Sequence, residues 1–260
     1  MLTIKDKYKL YESSVQCHEA DVDFINDEYK KIYGKNPSIL REDFGGTGLL
    51  ACSWVKQSAD HQAYAIDLDP EPIAYGKENH YMLLDTDQQA RMHYLQENVL
   101  GDFSFKADVT VAFNFSYFIF KKRKELIEYF SRVREGLSDQ GLFLLDIFGG
   151  TDAYEESVEE TEHEDHSYFW DCDHYNPLTN ECLYYIHFKK DGVKHNKVFT
   201  YDWRMWSVVE IREILEEAGF SKTVAYWEGT DEDGDGDGNF YQSEEEENCE
   251  SWVTYVAAIP

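Results

Sequence analysis

The sequence predicts an α/β fold: a doubly wound, mostly parallel sheet carrying a small antiparallel β insert. Three observations lead there. Leu40 to Leu50 reads Leu-Arg-Glu-Asp-Phe-Gly-Gly-Thr-Gly-Leu-Leu, a strand running into a glycine turn and then a helix. One βα unit later, Ala65-Ile66-Asp67-Leu68-Asp69-Pro70 ends a second strand on a carboxylate, the pairing by which such sheets hold an adenosine-containing ligand. Strands then alternate with helices as far as residue 148, which argues for a parallel sheet covered on both faces.

Taken in order, residues 6–34 read as one helical run, with Tyr8, Leu10, Tyr11 and Val15 near one face and Val22, Ile25, Tyr29 and Ile32 following at helical spacing. Gly34 and Pro37 stop it. Ser38–Glu42 is the first strand, followed by the glycine loop and a helix through Lys56; Gln62–Ile66 is the second strand. Pro70 and Pro72 open the next helix, where proline is tolerated. Met92–Leu95 and Asp108–Phe113 are strands, the latter an almost continuous apolar run suited to burial on both faces. Lys121–Leu137 is helical and Gly141–Phe148 a fifth strand.

The alternation then breaks. Tyr168–His174, Cys182–Lys189 and Lys197–Arg204 are aromatic or β-branched segments separated by Asn-Pro-Leu-Thr-Asn and Asp-Gly turns, which predicts a three-stranded antiparallel insert. Val208–Ala218 returns to helix before Gly219, and Ser221–Trp227 and Trp252–Ile259 are strands around an acidic, Gly-rich loop. Four units are expected: a helical cap (1–37), the ligand-binding core (38–150), the β insert (151–206) and a segment completing the core (207–260).

The chain has 260 residues and a formal net charge of −28, from 24 Lys and Arg against 52 Asp and Glu. Nucleic acids and anionic membranes require a cationic footprint, so neither is expected as a partner. Asp152 to Asp173 contains ten carboxylates and Glu228 to Glu250 eleven, with no Lys or Arg in either run; both read as solvated surface. The five cysteines form no metal-binding spacing and are expected as reduced thiols. The N-terminus lacks an apolar signal core and no stretch is long enough to span a bilayer, so a cytoplasmic protein is expected.

Gly46, Gly48 and Ala51 satisfy G-x-G-x-x-A, and Asp67 or Asp69 stands near the ribose-binding distance. Alone, this fits a nicotinamide-dependent oxidoreductase. A pyrophosphate, however, seeks backbone N–H groups free of competing carboxylates, and Glu42 and Asp43 immediately precede the loop. Those carboxylates suit a ligand with a cationic head.

These residues resemble the class I S-adenosylmethionine-dependent methyltransferases. Glu42 matches the acidic position of the family's first motif, Gly46 and Gly48 its last two glycines, and Phe44 stands where its first glycine is usual. Asp67 matches the carboxylate that accepts the ribose hydroxyls. Gln96-Glu97-Asn98-Val99 matches the adenine loop, and Ala112-Phe113-Asn114-Phe115-Ser116 resembles the fourth-strand motif facing the methyl donor. The resemblance implies a seven-stranded sheet whose last strand is antiparallel, with S-adenosylmethionine as cofactor. It implies a cofactor site of Glu42, Gly45, Gly46, Thr47, Gly48, Asp67, Leu68, Asn98, Val99 and Asn114.

By the same resemblance the acceptor, a small molecule methylated on O or N, lies over the methyl group. Its expected contacts are Tyr11, Tyr175, Arg204 and Trp206, with Tyr8, Gln16 and His18 nearby and His18 the imidazole to test as a base. No metal is expected, and the insert could pair two subunits into a homodimer. Asp233 to Glu244 satisfies a calcium-loop pattern, but its flanks read as strands rather than helices, so an acidic hairpin loop is the expectation. His163 and His166 are expected as surface residues. A non-catalytic binding module on the same fold stands beside the two enzyme readings.

Overall fold

A computed structural model describes residues 2–230 and 236–260. The expected helical run from 6 to 34 divides into α1 (Ile4–Val15) and α2 (His18–Tyr33), because Gln16 takes an extended backbone between them. Then follow β1 (Ile39–Asp43), α3 (Leu49–Gln57), β2 (Gln62–Ile66), α4 (Pro70–Asn79), α5 (Thr86–Arg91), β3 (Met92–Leu95), β4 (Ala107–Ala112), α6 (Arg123–Gly136) and β5 (Leu137–Gly149). The insert contains β6 (Val158–Glu162), β7 (His166–Asn176), β8 (Glu181–Lys190) and β9 (Val193–Arg204). The chain closes with α7 (Val208–Glu217), β10 (Lys222–Thr230), β11 (Gly236–Gln242) and β12 (Trp252–Ile259).

The main sheet has eight strands in the order β11-β10-β12-β5-β4-β1-β2-β3. β3, β2, β1, β4 and β5 run parallel, and β12 enters antiparallel between β5 and β10. The order reverses between β1 and β4, which opens the crevice where doubly wound sheets bind ligands. The expected seven strands become eight because Gly236–Gln242 pairs antiparallel with β10 instead of remaining loop. Asp233 and Asp235 of the calcium-like pattern lie outside the described residues. Among the described residues no group of three or more acidic, His or Cys side chains could hold a metal.

The insert has four strands, in the order β6-β7-β8-β9, rather than three. β6 escapes a periodicity reading because all five of its residues are exposed; its pairing to β7 is backbone hydrogen bonding. One core layer lies between the sheet and α6, α7 and the insert, containing Phe130, Phe143, Trp206 and Leu215; the other lies under α2 and α3, containing Ile25, Tyr29 and Trp54. Leu10 of α1 packs on Ile186 and Phe188 of the insert. His166, expected at the surface, is buried and shares a 2.8 Å hydrogen bond with Ser14, so it fastens the insert to α1. No described helix is long and apolar enough to cross a membrane.

Candidate active site

The glycine loop turns sharply because four local features agree. Phe44, Gly46 and Gly48 all have left-handed backbones, with φ of 55°, 53° and 66°. Phe44 therefore follows the path a glycine would take, at a cost of about 1 kcal/mol for a side-chain-bearing residue. Gly48 caps α3, and its N–H donates to the Gly45 carbonyl at 2.7 Å. A Cβ at Gly48 would lie 2.6 Å from the Tyr94 ring, so the position admits no larger residue without displacing Tyr94. Asp67, just past β2, accepts the Gly46 N–H at 2.8 Å and the Asp69 N–H at 2.8 Å.

Around this loop is a cavity of about 230 Å³, whose wall includes Glu42, Asp43, Asp67 and Asp69 but one cation, Lys7. Lys7 is paired with Glu71 at 2.7 Å, and Asp43 is held by Arg41 at 2.7 Å and by the Tyr129 hydroxyl at 2.9 Å. Glu42 and Asp67 have no cationic partner among the described residues. Burial pushes the Glu42 carboxyl up to about 8, opposed by the Ala51 N–H and reinforced by Asp67. Burial likewise raises Asp67, while the Asp69 and Gly46 N–H groups hold it down. Behind the wall, Asp146 of β5 accepts the Asn114 and Phe115 N–H groups at 2.7 and 2.9 Å, and burial raises it to about 7. Asp21 of α2, bonded to the Tyr255 hydroxyl, is raised by burial to about 6. The Gln16 side-chain oxygen, in the same wall, is buried without a hydrogen-bond partner among the described residues. The chemistry asked for is a cation with hydrogen-bond donors.

Helix α1 covers this cavity and is fixed by charge. Glu12 accepts the Thr47 hydroxyl at 2.6 Å and meets His80 Nε2 at 2.6 Å, while Lys7 and the Tyr8 hydroxyl converge on Glu71 of α4. The far side of α1 opens onto a second cavity of about 220 Å³ beneath the insert, walled by Phe115, Phe148, Tyr168, Trp170 and Trp203 among others. Tyr11, Asn114 and Tyr201 line both cavities and so form the wall between them.

Of the expected cofactor residues, Glu42, Gly45, Gly46, Thr47, Asp67 and Asn114 meet in the first cavity, with Tyr8, Tyr11 and Gln16. Gly48 works behind them as the helix cap. Leu68 is exposed, Asn98 accepts the Leu100 N–H in a turn of its own loop, and the Val99 carbonyl takes Arg41; none of these three lines the cavity. His18 turns away to share a 2.8 Å hydrogen bond with Ser53, which removes it from the position of a base.

Of the expected acceptor contacts, Tyr11 lines both cavities, whereas Tyr175, Arg204 and Trp206 line neither. Tyr175 reaches the hairpin turn, where its hydroxyl donates to Asn180 at 2.9 Å. Arg204 lies on the opposite face of β9 from Tyr201 and Trp203 and stacks on Trp206 at 3.7 Å; Trp206 is buried in the core. Tyr201, Trp203 and Trp170 line the cavity beneath the insert instead. Asp146 had a sequence signal of its own: a lone carboxylate within the apolar run Leu-Phe-Leu-Leu-Asp-Ile-Phe, where burial demands partners.

No protein-family model matches the sequence, and no curated protein does. Solved structures resemble the whole chain. A S-adenosylmethionine-dependent methyltransferase from Clostridium acetobutylicum superposes with a TM-score of 0.70 at 17% identity, covering 96% of this chain and 95% of that one. Streptomyces venezuelae DesVI gives 0.71 at 15% identity, covering 100% and 99%. CalS10, an amino pentose methyltransferase from Micromonospora echinaspora with its S-adenosylmethionine bound, gives 0.67 at 11% identity, covering 100% and 98%. With its sheet order, its inserted antiparallel strand and these end-to-end superpositions, the chain has the fold of the class I S-adenosylmethionine-dependent methyltransferases.

Proposed function

We propose that this protein is a S-adenosylmethionine-dependent methyltransferase acting on the oxygen or nitrogen of a small molecule. The observation that carries the reading is the cation-poor first cavity: among the described residues Glu42 and Asp67 lack positive partners there, and the Gln16 oxygen lacks a donor. S-adenosylmethionine fits that donor set, having a sulfonium, an ammonium and a ribose diol but no phosphate. A nicotinamide dinucleotide would bring two phosphate charges against the same carboxylates, which like-charge repulsion disfavours.

When bound, the cofactor supplies an electrophilic methyl group; the rest falls to the protein. Asp67 would accept the two ribose hydroxyls while bracing Gly46. Glu42 and Gln16 offer acceptors to the ammonium. Tyr11 and Asn114, in the wall shared by the two cavities, would align the acceptor with the methyl group, and α1 together with the insert would exclude water from it. A base is required only where the nucleophile arrives as a protonated group of high pKa.

Calorimetric titration with S-adenosylmethionine, S-adenosylhomocysteine and NADH tests the reading. One saturable site for the first two and no heat with NADH is expected. Binding of NADH alone would replace it with the oxidoreductase.

A further inference from the structure

We propose that Ser14 is a nucleophile activated by His166 and Asp165, and that it hydrolyses a small uncharged carboxylic ester. This activity stands apart from the methyltransferase reading above and needs no cofactor.

Ser14 lies in the last turn of α1, and Asp165 and His166 stand where the chain enters β7. The Ser14 Oγ is 2.8 Å from His166 Nε2, and His166 Nδ1 is 2.7 Å from Asp165 Oδ1. The carboxylate decides the direction of both bonds. The hydrogen bond from His166 holds the Asp165 carboxyl below its usual value, with Lys9 a lesser contributor, so it is ionised and can only accept. Nδ1 therefore carries the imidazole proton, Nε2 presents a lone pair, and the Ser14 hydroxyl donates to it. Such an arrangement supplies a serine nucleophile, its general base and the acid that orients the base.

The base is fixed in place. His166 is buried, with the His163 ring stacked on it at 4.5 Å and 3° and the Phe188 ring 6.0 Å away. Burial, then His166, hold His163 below its usual value, so this neighbour adds no positive charge beside the base.

Two other serines show what sets Ser14 apart. Ser13 spends its hydroxyl on the Leu10 carbonyl at 3.1 Å. Ser53 meets His18 Nδ1 at 2.8 Å, yet its hydroxyl donates to the Leu49 carbonyl at 2.9 Å, and among the described residues no carboxylate bonds His18. Ser14 is partly exposed, and among the described residues His166 is the one partner of its hydroxyl.

The surroundings define the substrate class. Val15 follows Ser14 on α1, and Tyr168 shares the face of β7 that carries His166, both rings meeting Phe188. Val15 and Tyr168 line the cavity beneath the insert, whose wall has no Lys, Arg or His and one acid, Glu159. An uncharged ester suits that wall, whereas a carboxylate or phosphate would find no cation there.

In the first step the Ser14 Oγ bonds to the ester carbonyl carbon as His166 Nε2 takes its proton, and the carbonyl π pair moves to oxygen. That pair returns as the C–O bond to the alcohol breaks, the leaving oxygen takes the proton from Nε2, and an acyl-Ser14 remains. Water, deprotonated by the same Nε2, repeats the sequence and releases the carboxylic acid. Ester and water thus become acid and alcohol, and no other co-reactant is required.

Paraoxon and p-nitrophenyl acetate, both uncharged, are the probes, used on the full chain without added cofactor. Diethylphosphorylation by paraoxon, mapped by tandem mass spectrometry, is expected on Ser14. Multiple-turnover nitrophenolate release from p-nitrophenyl acetate should fall about tenfold or more in Ser14→Ala and in Asp165→Asn, and hold in Ser13→Ala. Where Ser14→Ala does not fold, the peptide map and Asp165→Asn, at an exposed side chain, carry the result. Labelling of another residue, no labelling, or a rate that survives either Ser14→Ala or Asp165→Asn overturns the assignment.

Discussion

The carboxylate of Asp67 accepts the N–H of Gly46 at 2.8 Å, so the acid that follows β2 braces the loop that follows β1. One side chain therefore does two jobs: it fixes the left-handed turn at Gly46 and presents charge to the cavity. It also carries a burden, since burial raises it above the ordinary carboxylate range.

Asp67→Asn separates the two jobs. The amide oxygen can still accept from Gly46, but the charge-assisted bonds to a ribose diol are lost, worth about 1.5–3 kcal/mol. Affinity for S-adenosylhomocysteine should fall roughly ten- to a hundredfold by calorimetry. The melting temperature should change little, because removal of a penalised buried charge is offset by the Asp69 N–H, which the amide nitrogen cannot accept.

The acid cluster sets the pH response. Glu42, Asp146 and Asp21 are raised to about 8, 7 and 6 in the folded chain. An unfolded carboxyl titrates near 4, so between pH 4 and 8 the folded state binds more protons and stability falls as pH rises. Melting curves without added ligand should therefore shift downward from pH 5.5 to 8. A cationic ligand favours the ionised acids, so the stabilisation by S-adenosylmethionine should grow over the same interval, and its binding near pH 6.5 should release protons, read as a dependence of calorimetric heat on buffer ionisation enthalpy.

Gly76 of α4 tests how tightly the loop is seated. A Cβ there would lie 1.8 Å from the Thr47 carbonyl oxygen and 2.8 Å from the Tyr94 hydroxyl, which itself donates to that carbonyl at 2.7 Å. Glycine to alanine inside a helix ordinarily stabilises by about 1 kcal/mol. Here Gly76→Ala should destabilise by about 1–3 kcal/mol, as overpacking does, and weaken S-adenosylhomocysteine binding by displacing the loop. Denaturant melts together with titration check both.

Glu12 holds α1 down over the cofactor cavity through Thr47 and His80, both at 2.6 Å. Glu12→Ala leaves those groups without their partner, at a cost of about 1–3 kcal/mol. Because α1 covers the cavity, the off-rate of S-adenosylhomocysteine in stopped flow should rise several-fold more than the on-rate changes.

Much of the frame was legible because its signals are local. β2, β3 and β12 fall on their expected residues, and Gly46 and Gly48 make the expected turn, with left-handed backbones. Phe44 could not be read: a phenylalanine in a glycine's conformation is tolerated because its ring packs on Phe120 and Tyr129, which lie far along the chain. β6 and β11 were missed because both are polar edge strands with no buried face to leave a period-2 pattern, and only pairing to β7 and β10 orders them. His166 sits in an acidic run that reads as surface, yet Ser14 and the insert enclose it.

By itself the sequence determined the α/β frame, the glycine turn and the acids around it, since each is made by neighbours in the chain acting through backbone preference and charge. The tertiary structure alone decided which rings line the cavity beneath the insert. Tyr201 and Trp203 lie on one face of β9 and Arg204 on the other, and strand register, fixed by pairing with β8, chose the face that meets Trp170 and Tyr11. A one-residue slip would have presented Arg204 instead, and no local signal distinguishes the two.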